Sequence, residues 1–301
     1  MRIVTALGGN ALLKRGEPLS AAAQQENVAQ AAKQLAVLAA AGHGLIVTHG
    51  NGPQVGLLAL QAEAGPPASA QPLDDLDAES EGWIGYALEQ ELANALPPGT
   101  EIATLLTRIE VKADDPAFAS PSKPIGPVYD EEMAKFLAGQ RGWHVAPDGK
   151  FWRRVVPSPA PVAVLNEASI ARLVAAGTLV ICAGGGGIPV VRDAAGQWKG
   201  AEAVIDKDAA SALLAVQLKA DIFMMLTDVD AVYQDYGTPS QRPLRQATPE
   251  ELAGKAFAAG SMGPKVAAAC RFVRETGRPA AIGRLQDASA ILAGQAGTRI
   301  G

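Results

Sequence analysis

Short apolar, β-branched runs alternate with long alanine-rich stretches along most of the chain. Arg2–Leu7, Leu45–Val47, Leu179–Cys182 and Ile222–Leu226 are nearly continuous apolar runs, the pattern of strands covered on both faces. The helical stretches fall between them. Ala21–Ala41 has Ser20 as its N-cap and Gly42 as its stop, and Asn166–Ala176 stops at Gly177. A second helix opens at Pro53, where the missing N–H of proline costs nothing. Glu81–Leu96 ends at Pro97-Pro98, Ala209–Lys219 and Pro264–Thr276 are further helices, and Glu101–Val111 reads as one strand. Repeated strand–helix alternation predicts an α/β fold with a mainly parallel sheet and helices on both faces.

The rhythm breaks from about Lys112 to Pro161. Prolines crowd this stretch, and short β-like pieces such as "FWRRVV" replace long helices. It also carries Phe118, Tyr129, Phe136, Trp143, Phe151 and Trp152, and aromatics in a loop need something to pack against. A small lobe inserted at 112–161 into a single domain of 1–301 is the expectation, in place of a linker.

Charge narrows the function classes. With 26 Lys and Arg against 31 Asp and Glu the net charge is −5, and there is no long basic run. That argues against nucleic acid and membrane surfaces as partners. The two cysteines, Cys182 and Cys270, have no metal-type spacing and read as buried free thiols in a reduced compartment. The N-terminal "MRIVTALGGNALL" reads as a first strand and not a signal peptide, so a cytoplasmic protein is expected.

In an open parallel sheet, ligands bind where strands end and helices begin. Four such places stand out. "LGGN", Leu7 to Asn10, is either an anion-binding nest or an ordinary strand–helix turn. "HGNGPQVG", His49 to Gly56, lacks the Lys-Ser/Thr of a Walker A loop and is one residue too long for a dinucleotide fingerprint. His49 within it is either a general base or, more commonly for such a residue, a satisfied structural histidine. "GGGGIPVV", Gly184 to Val191, suits a loop pressed close to a ligand or another backbone, with plain packing as the alternative. Lastly, "IDKDAAS" (Ile205–Ser211) and "GSMGPK" (Gly260–Lys265) each put a lysine at the start of an apolar helix. The helix dipole is already positive there, so a lysine suggests an arriving anion, although either alone could be a solvated surface residue. Together they point to a polyphosphate site, with Asp208 beside Lys207 to hold the lysines in position.

These motifs, with "EGWIGY" (Glu81–Tyr86), "KPIGP" (Lys123–Pro127), "VVPSP" (Val155–Pro159) and "LTDVDAVY" (Leu226–Tyr233), resemble those of the carbamate kinases in the amino acid kinase family. The resemblance runs nearly end to end, with all nine segments in order. It implies an open αβα sandwich with a protruding subdomain at 112–161, an acceptor-binding N-terminal part and a nucleotide-binding part at about 165–301. It also implies a homodimer, and reversible phosphoryl transfer between ATP and carbamate, giving ADP and carbamoyl phosphate, with Mg²⁺ accompanying the nucleotide.

Carried over by position, Gly8, Gly9 and Asn10 match the loop near the transferred phosphoryl group. Gly50, Asn51 and Gly52 match the loop around carbamate. Lys207 and Lys265 match the lysines that neutralise the phosphates, Asp208 their organiser, and Lys123 the subdomain lysine that reaches into the site. Thr227, Asp228, Val229, Tyr233 and Met262 match parts of the nucleotide pocket. Relatives acting on carboxylates commonly carry a lysine where this chain has Ala6, so Lys123 or Lys207 is expected to supply that charge. The family's frequent Arg-Gly-Trp-Arg before "VVPSP" is here Lys150-Phe151-Trp152-Arg153.

The chemistry is consistent with such a site. Carbamate is already an oxyanion, so its attack on phosphorus needs no general base, and transfer rests on positioning and charge stabilisation. Two alternatives come from elsewhere: a relative acting on another small acid or phosphate, and a catalytically silent nucleotide-binding module. A substrate panel separates the first, and nucleotide binding without turnover would mark the second.

Overall fold

Residues 1–13, 17, 20–66, 71–257 and 261–301 are described by a computed structural model, with the side chains of Asn10 and Ala11 outside that description. The expectations for the Asn10 side chain and for Gly260 therefore lie outside the described residues.

An eight-stranded sheet forms the centre. Its order is Gln246–Ala247, Thr298–Ile300, Ala280–Arg284, Ile222–Thr227, Arg2–Leu7, Gly44–His49, Leu179–Cys182 and Ile102–Leu105. All neighbours pair parallel except Ala280–Arg284 with Thr298–Ile300. Side chains alternate across the pleat. Val4, Ala6, Ile46, Val180, Phe223 and Met225 face a core shared with helices Glu167–Ala175, Lys207–Gln217 and Met262–Thr276. Ile3, Leu7, Leu45, Val47, Ile181 and Met224 face the opposite core, shared with helices Ala21–Ala40 and Leu73–Ala95. The result is the expected αβα layering. Ser20 caps the Ala21–Ala40 helix by accepting from Ala23 N at 3.2 Å, and Gly42 beyond it takes a left-handed φ of 79°.

Two elements differ from the sequence reading. The helix expected to start at Glu81 starts at Leu73. Its first two turns bury Asp77 and Ser80 along with Leu73 and Leu76, so polar residues interrupt the apolar stripe and hide it. The strand expected over Glu101–Val111 is two strands, Ile102–Leu105 in the central sheet and Arg108–Val111 in another. The chain changes sheets at Thr107, whose N–H donates to the Glu81 carboxyl at 3.0 Å and not to a neighbouring strand.

Arg108–Val111 belongs to a four-stranded sheet with Pro161–Val164, Ile188–Arg192 and Trp198–Gly200. Val111 pairs with Pro161, so the chain leaves for residues 112–161 and returns at one point. That segment folds as strands Lys123–Tyr129, Phe151–Val156 and His144–Asp148 in a three-stranded antiparallel sheet. It also contains an eleven-residue helix, Glu131–Arg141, capped by Asp130 and stopped by Gly142 in the left-handed region. No helix among the described residues is long and apolar enough to cross a membrane.

Candidate active site

The glycine loops and the site lysines gather at the carboxyl ends of the central strands. Leu7 pairs with Leu226 on one side and His49 on the other, so the chain after each of the three strands emerges side by side. Gly8 N donates to Leu226 O at 2.8 Å, and a Cβ on Gly8 would lie 3.5 Å from Thr227 Oγ1. A Cβ on Gly50 would lie 3.3 Å from Gly9 N, so the first two glycine loops touch backbone to backbone. Gly9 opens a short helix, Gly9–Leu12, and Gly52 opens the helix Gly52–Ala64 one residue ahead of Pro53.

The glycine quartet packs against the second loop. A Cβ on Gly184 would come 2.3 Å from His49 Nε2, and one on Gly185 would come 2.1 Å from Asn51 Nδ2. Gly185, Gly186 and Gly187 all have positive φ, so side chains are excluded by both space and backbone conformation. Pressure from another part of the chain thus accounts for these glycines.

Buried polar groups hold the same loops from beneath. Asn51 Nδ2 donates to Asp77 Oδ1 at 3.0 Å and to Ser80 Oγ at 2.8 Å, in place of capping its own helix. Glu81 accepts from Thr107 N at 3.0 Å and from Gly184 N at 2.8 Å. Burial pushes the Glu81 carboxyl up to about 8, and it raises the Asp77 carboxyl well above the usual range. Sequence reading missed Asp77, Ser80 and Glu81 as a supporting set. The three share one helical stripe with Leu73, Leu76, Ile84 and Leu88, but their partners Asn51, Thr107 and Gly184 are distant in sequence, so no local signal marked them.

His49 is fully buried, and desolvation pulls its pKa down to about 4. Nδ1 lies 3.2 Å from Gly50 O, which can only accept, so the proton sits on Nδ1 and Nε2 is bare. Nε2 faces Gly184 without a hydrogen-bond partner among the described residues. The histidine is therefore buried and neutral but only half satisfied, with one ring nitrogen paired and the other not.

The lysines meet on one carboxylate. Lys207, only 8% exposed, donates to Asp208 Oδ1 at 2.7 Å, and Lys265 donates to Asp208 Oδ2 at 2.9 Å. Burial lowers the Lys207 pKa, with Asp208 the main opposing influence. The Asp208 carboxyl is held far below the usual range by the two ammonium groups, against the pull of its own burial. Lys207 is the first residue of the helix Lys207–Gln217, and Lys265 lies in the first turn of Met262–Thr276. The Lys207 helix is tied to the second strand by Ser211, whose hydroxyl lies 2.6 Å from Thr48 Oγ1.

Asp206 is a further residue that sequence reading passed over. Its Oδ1 accepts from Asp208 N and Ala209 N at 3.0 and 3.1 Å, capping the helix, while Oδ2 accepts from Lys123 Nζ at 2.6 Å. An aspartate just before an alanine-rich run is an N-cap signature and could have been read. Lys123 thus arrives from residues 112–161 beside the Lys207–Asp208–Lys265 group. The position of Ala6 is buried in the core, two residues ahead of Gly8.

Of the residues expected around the nucleotide, Thr227 ends the Ile222–Thr227 strand beside Gly8. Thr227 Oγ1 donates to Asp228 Oδ1 at 3.0 Å. Val229 follows in the loop, and Tyr233 lies in the hairpin Val232–Gln234/Arg242–Leu244, donating its hydroxyl to Asp230 at 2.7 Å. Met262 begins the helix that carries Lys265 and packs against the core.

Comparison with known proteins gives the family. The amino acid kinase family model matches residues 1–284. The chain belongs to the amino acid kinase family. It is 51% identical to a carbamate kinase of Haemophilus influenzae, covering 100% of this chain and 96% of that one. A carbamate kinase of Pyrococcus furiosus is 47% identical, with 99% and 98% covered. A Giardia lamblia carbamate kinase bound to AMP-PNP superposes with a TM-score of 0.89 at 40% identity, covering 99% of this chain and 98% of that one. An isopentenyl phosphate kinase substrate complex shares the fold at a TM-score of 0.58 and 15% identity, with 99% of each chain covered.

Proposed function

We propose that the chain is a carbamate kinase, transferring a phosphoryl group between ATP and carbamate to give ADP and carbamoyl phosphate. The observation that carries this reading is the buried Lys207–Asp208–Lys265 group beside two touching glycine loops, in a chain about half identical to carbamate kinases over its full length. The loops Gly9–Asn10 and Gly50–Gly52 supply backbone N–H groups, Gly8 supplies room while its own N–H stays on Leu226 O, and the lysines supply charge. Phosphoryl transfer asks for little else.

In the forward direction a carbamate oxygen forms a bond to the γ-phosphorus as the bond to the β,γ-bridging oxygen breaks. The electron pair leaves with ADP. Carbamate is an anion, so no proton moves, and the total charge is the same on both sides. Lys207 and Lys265 stabilise charge on the phosphates, and Asp208 fixes both ammonium groups so that no reorganisation is needed during transfer. Lys123 adds a third cation at the start of the Lys207 helix. Lys123 or Lys207 supplies the charge that relatives acting on carboxylates commonly place at the position of Ala6.

In this reading the acceptor side is built by the N-terminal part, and the nucleotide side by residues from about 165 onward, through Thr227, Asp228, Val229, Tyr233 and Met262. Residues 112–161 form the lobe that brings in Lys123. Among the described residues no three His, Cys, Asp or Glu side chains gather to cage a metal ion. Asp206 and Asp208 are already engaged by lysines. In this reading a magnesium ion would be held through the nucleotide's phosphates and water. When bound it neutralises phosphate charge. A cytoplasmic homodimer completes the proposal, and light scattering in solution tests the dimer.

A substrate panel tests the reaction. ATP consumption should be seen with carbamate and not with N-acetylglutamate, isopentenyl phosphate or a nucleoside monophosphate. Equal or greater turnover on any of the latter would overturn the assignment.

A further inference from the structure

Glu63 lies at the far end of the Gly52–Ala64 helix, the helix that opens at the second glycine loop. All three donors to its carboxylate come from residues 112–161. Arg141 Nη1 donates to Oε2 at 3.0 Å, and Arg154 Nη1 and Trp143 Nε1 donate to Oε1 at 2.8 and 2.9 Å. The Trp143 ring also has the guanidinium carbons of Arg141 and Arg154 each 5.0 Å from its centroid. One carboxylate therefore gathers a closed group of two cations and an indole.

Glu63 is seven residues beyond Gly56, close to two full helical turns, so both lie on one face. A Cβ on Gly56 would fall 2.0 Å from the N and Cα of Gly126, so the helix and the lobe strand Lys123–Tyr129 touch backbone to backbone. Val55, next to Gly56, and Ala59, between the two contacts, pack with Ile125 and Val156. The lobe is thus fixed to the helix along a single stripe, with Glu63 as its polar end.

The same strand pair delivers Lys123. Ile125 pairs with Arg154, and Lys123 pairs with Val156, two residues along. A grip on Arg154 is a grip on the register and placement of Lys123, whose Nζ meets Asp206 at the start of the Lys207 helix. We propose that Glu63 is a positioning residue for phosphoryl transfer, holding the lobe so that Lys123 stands at Asp206. This inference rests on Lys123 acting at the phosphoryl site.

A double-mutant cycle tests it, reading ATP formation from ADP and carbamoyl phosphate in the wild type, Glu63→Ala, Lys123→Ala and the double variant. Glu63→Ala should lower kcat about tenfold, as misplacing a distant catalytic group does. In the Lys123→Ala background the same change should cost no more than about twofold, because the two act as one unit. A general loss of folding would instead multiply through both backgrounds. Glu63→Gln, which keeps the shape and weakens the charge pairing, repeats the cycle if Glu63→Ala lowers the folded fraction. Wild-type rates in the Glu63 variants, or equal fold-losses with and without Lys123, would overturn the proposal. Lys123→Ala by itself tests the reading beneath it: an unchanged rate there removes Lys123 from the site, whatever Glu63 does.

Discussion

Asp208 accepts a hydrogen bond from Lys265 at 2.9 Å although 57 residues of chain separate them. Its other oxygen accepts from Lys207, the preceding residue, at 2.7 Å. One buried carboxylate thus fixes cations from the starts of two helices. Removing it leaves two ammonium groups crowded together in a site from which water is largely excluded. Asp208→Ala should destabilise the fold by about 3–5 kcal/mol, the cost of stranding buried charge, measurable by urea denaturation. A loss under about 1 kcal/mol would mean the lysines find water instead.

Gly185→Ala tests the packing of the glycine quartet on the acceptor loop. The new methyl would sit 2.1 Å from Asn51 Nδ2 at a residue with φ of 70°. Asn51 must then give up Asp77 and Ser80, and the second loop shifts. Carbamoyl phosphate KM should rise and kcat fall by at least about tenfold, while ADP affinity by calorimetry stays unchanged. Unchanged steady-state constants would show that the quartet does not position the acceptor loop.

His49 should act on stability and not on turnover. Its folded pKa is about 4 against an ordinary 6.5, so the unfolded chain binds the extra proton first. Its contribution is fully present above pH 6.5 and is lost as pH falls from there to about 4. His49→Gln should lessen that acid loss in thermal melts. Loss of a general base costs about 10²–10⁴ in rate, so a drop of that size at neutral pH in a folded His49→Gln protein would contradict the structural role.

Glu81 gives the opposite slope. Its folded pKa is about 8 against 4.5, so the folded state keeps a proton that the unfolded chain has released. Stability from this group is greatest below pH 4.5 and declines as pH rises toward 8. Above 6.5 the histidine's contribution no longer changes with pH, which leaves Glu81 and the likewise raised Asp77 to set the slope. Melting temperature should fall from pH 6.5 to 8 in the wild type, and Glu81→Gln should flatten that fall. A slope of the same size in the variant would assign it elsewhere.

Much of this was legible in the sequence because local signals agreed with the fold. The apolar runs Arg2–Leu7 and Leu179–Cys182 could hardly be anything but buried parallel strands, and their bounds match the observed ones. The lysines of "IDKD" and "GSMGPK" stood out because cations at helix starts need a reason. Glu81 and Asp77 were hidden because their partners, Thr107, Gly184 and Asn51, come together only in the folded chain. The start of their helix was misplaced for the same cause. Glu63 was unreadable too, since its donors lie 78 to 91 residues away on a lobe whose docking no local pattern encodes. Asp206 is the exception: its capping position was visible and only its pairing with Lys123 was not.

The most direct measurement is ATP formation from ADP and carbamoyl phosphate with Mg²⁺, run on the wild type beside Lys207→Ala. The wild type should turn over well above a buffer control, and the variant should fall by about 10²–10³, as losing one preorganised charge-stabilising group does. No turnover by the wild type, or equal rates in the two proteins, would contradict a carbamate kinase whose phosphates meet at Lys207.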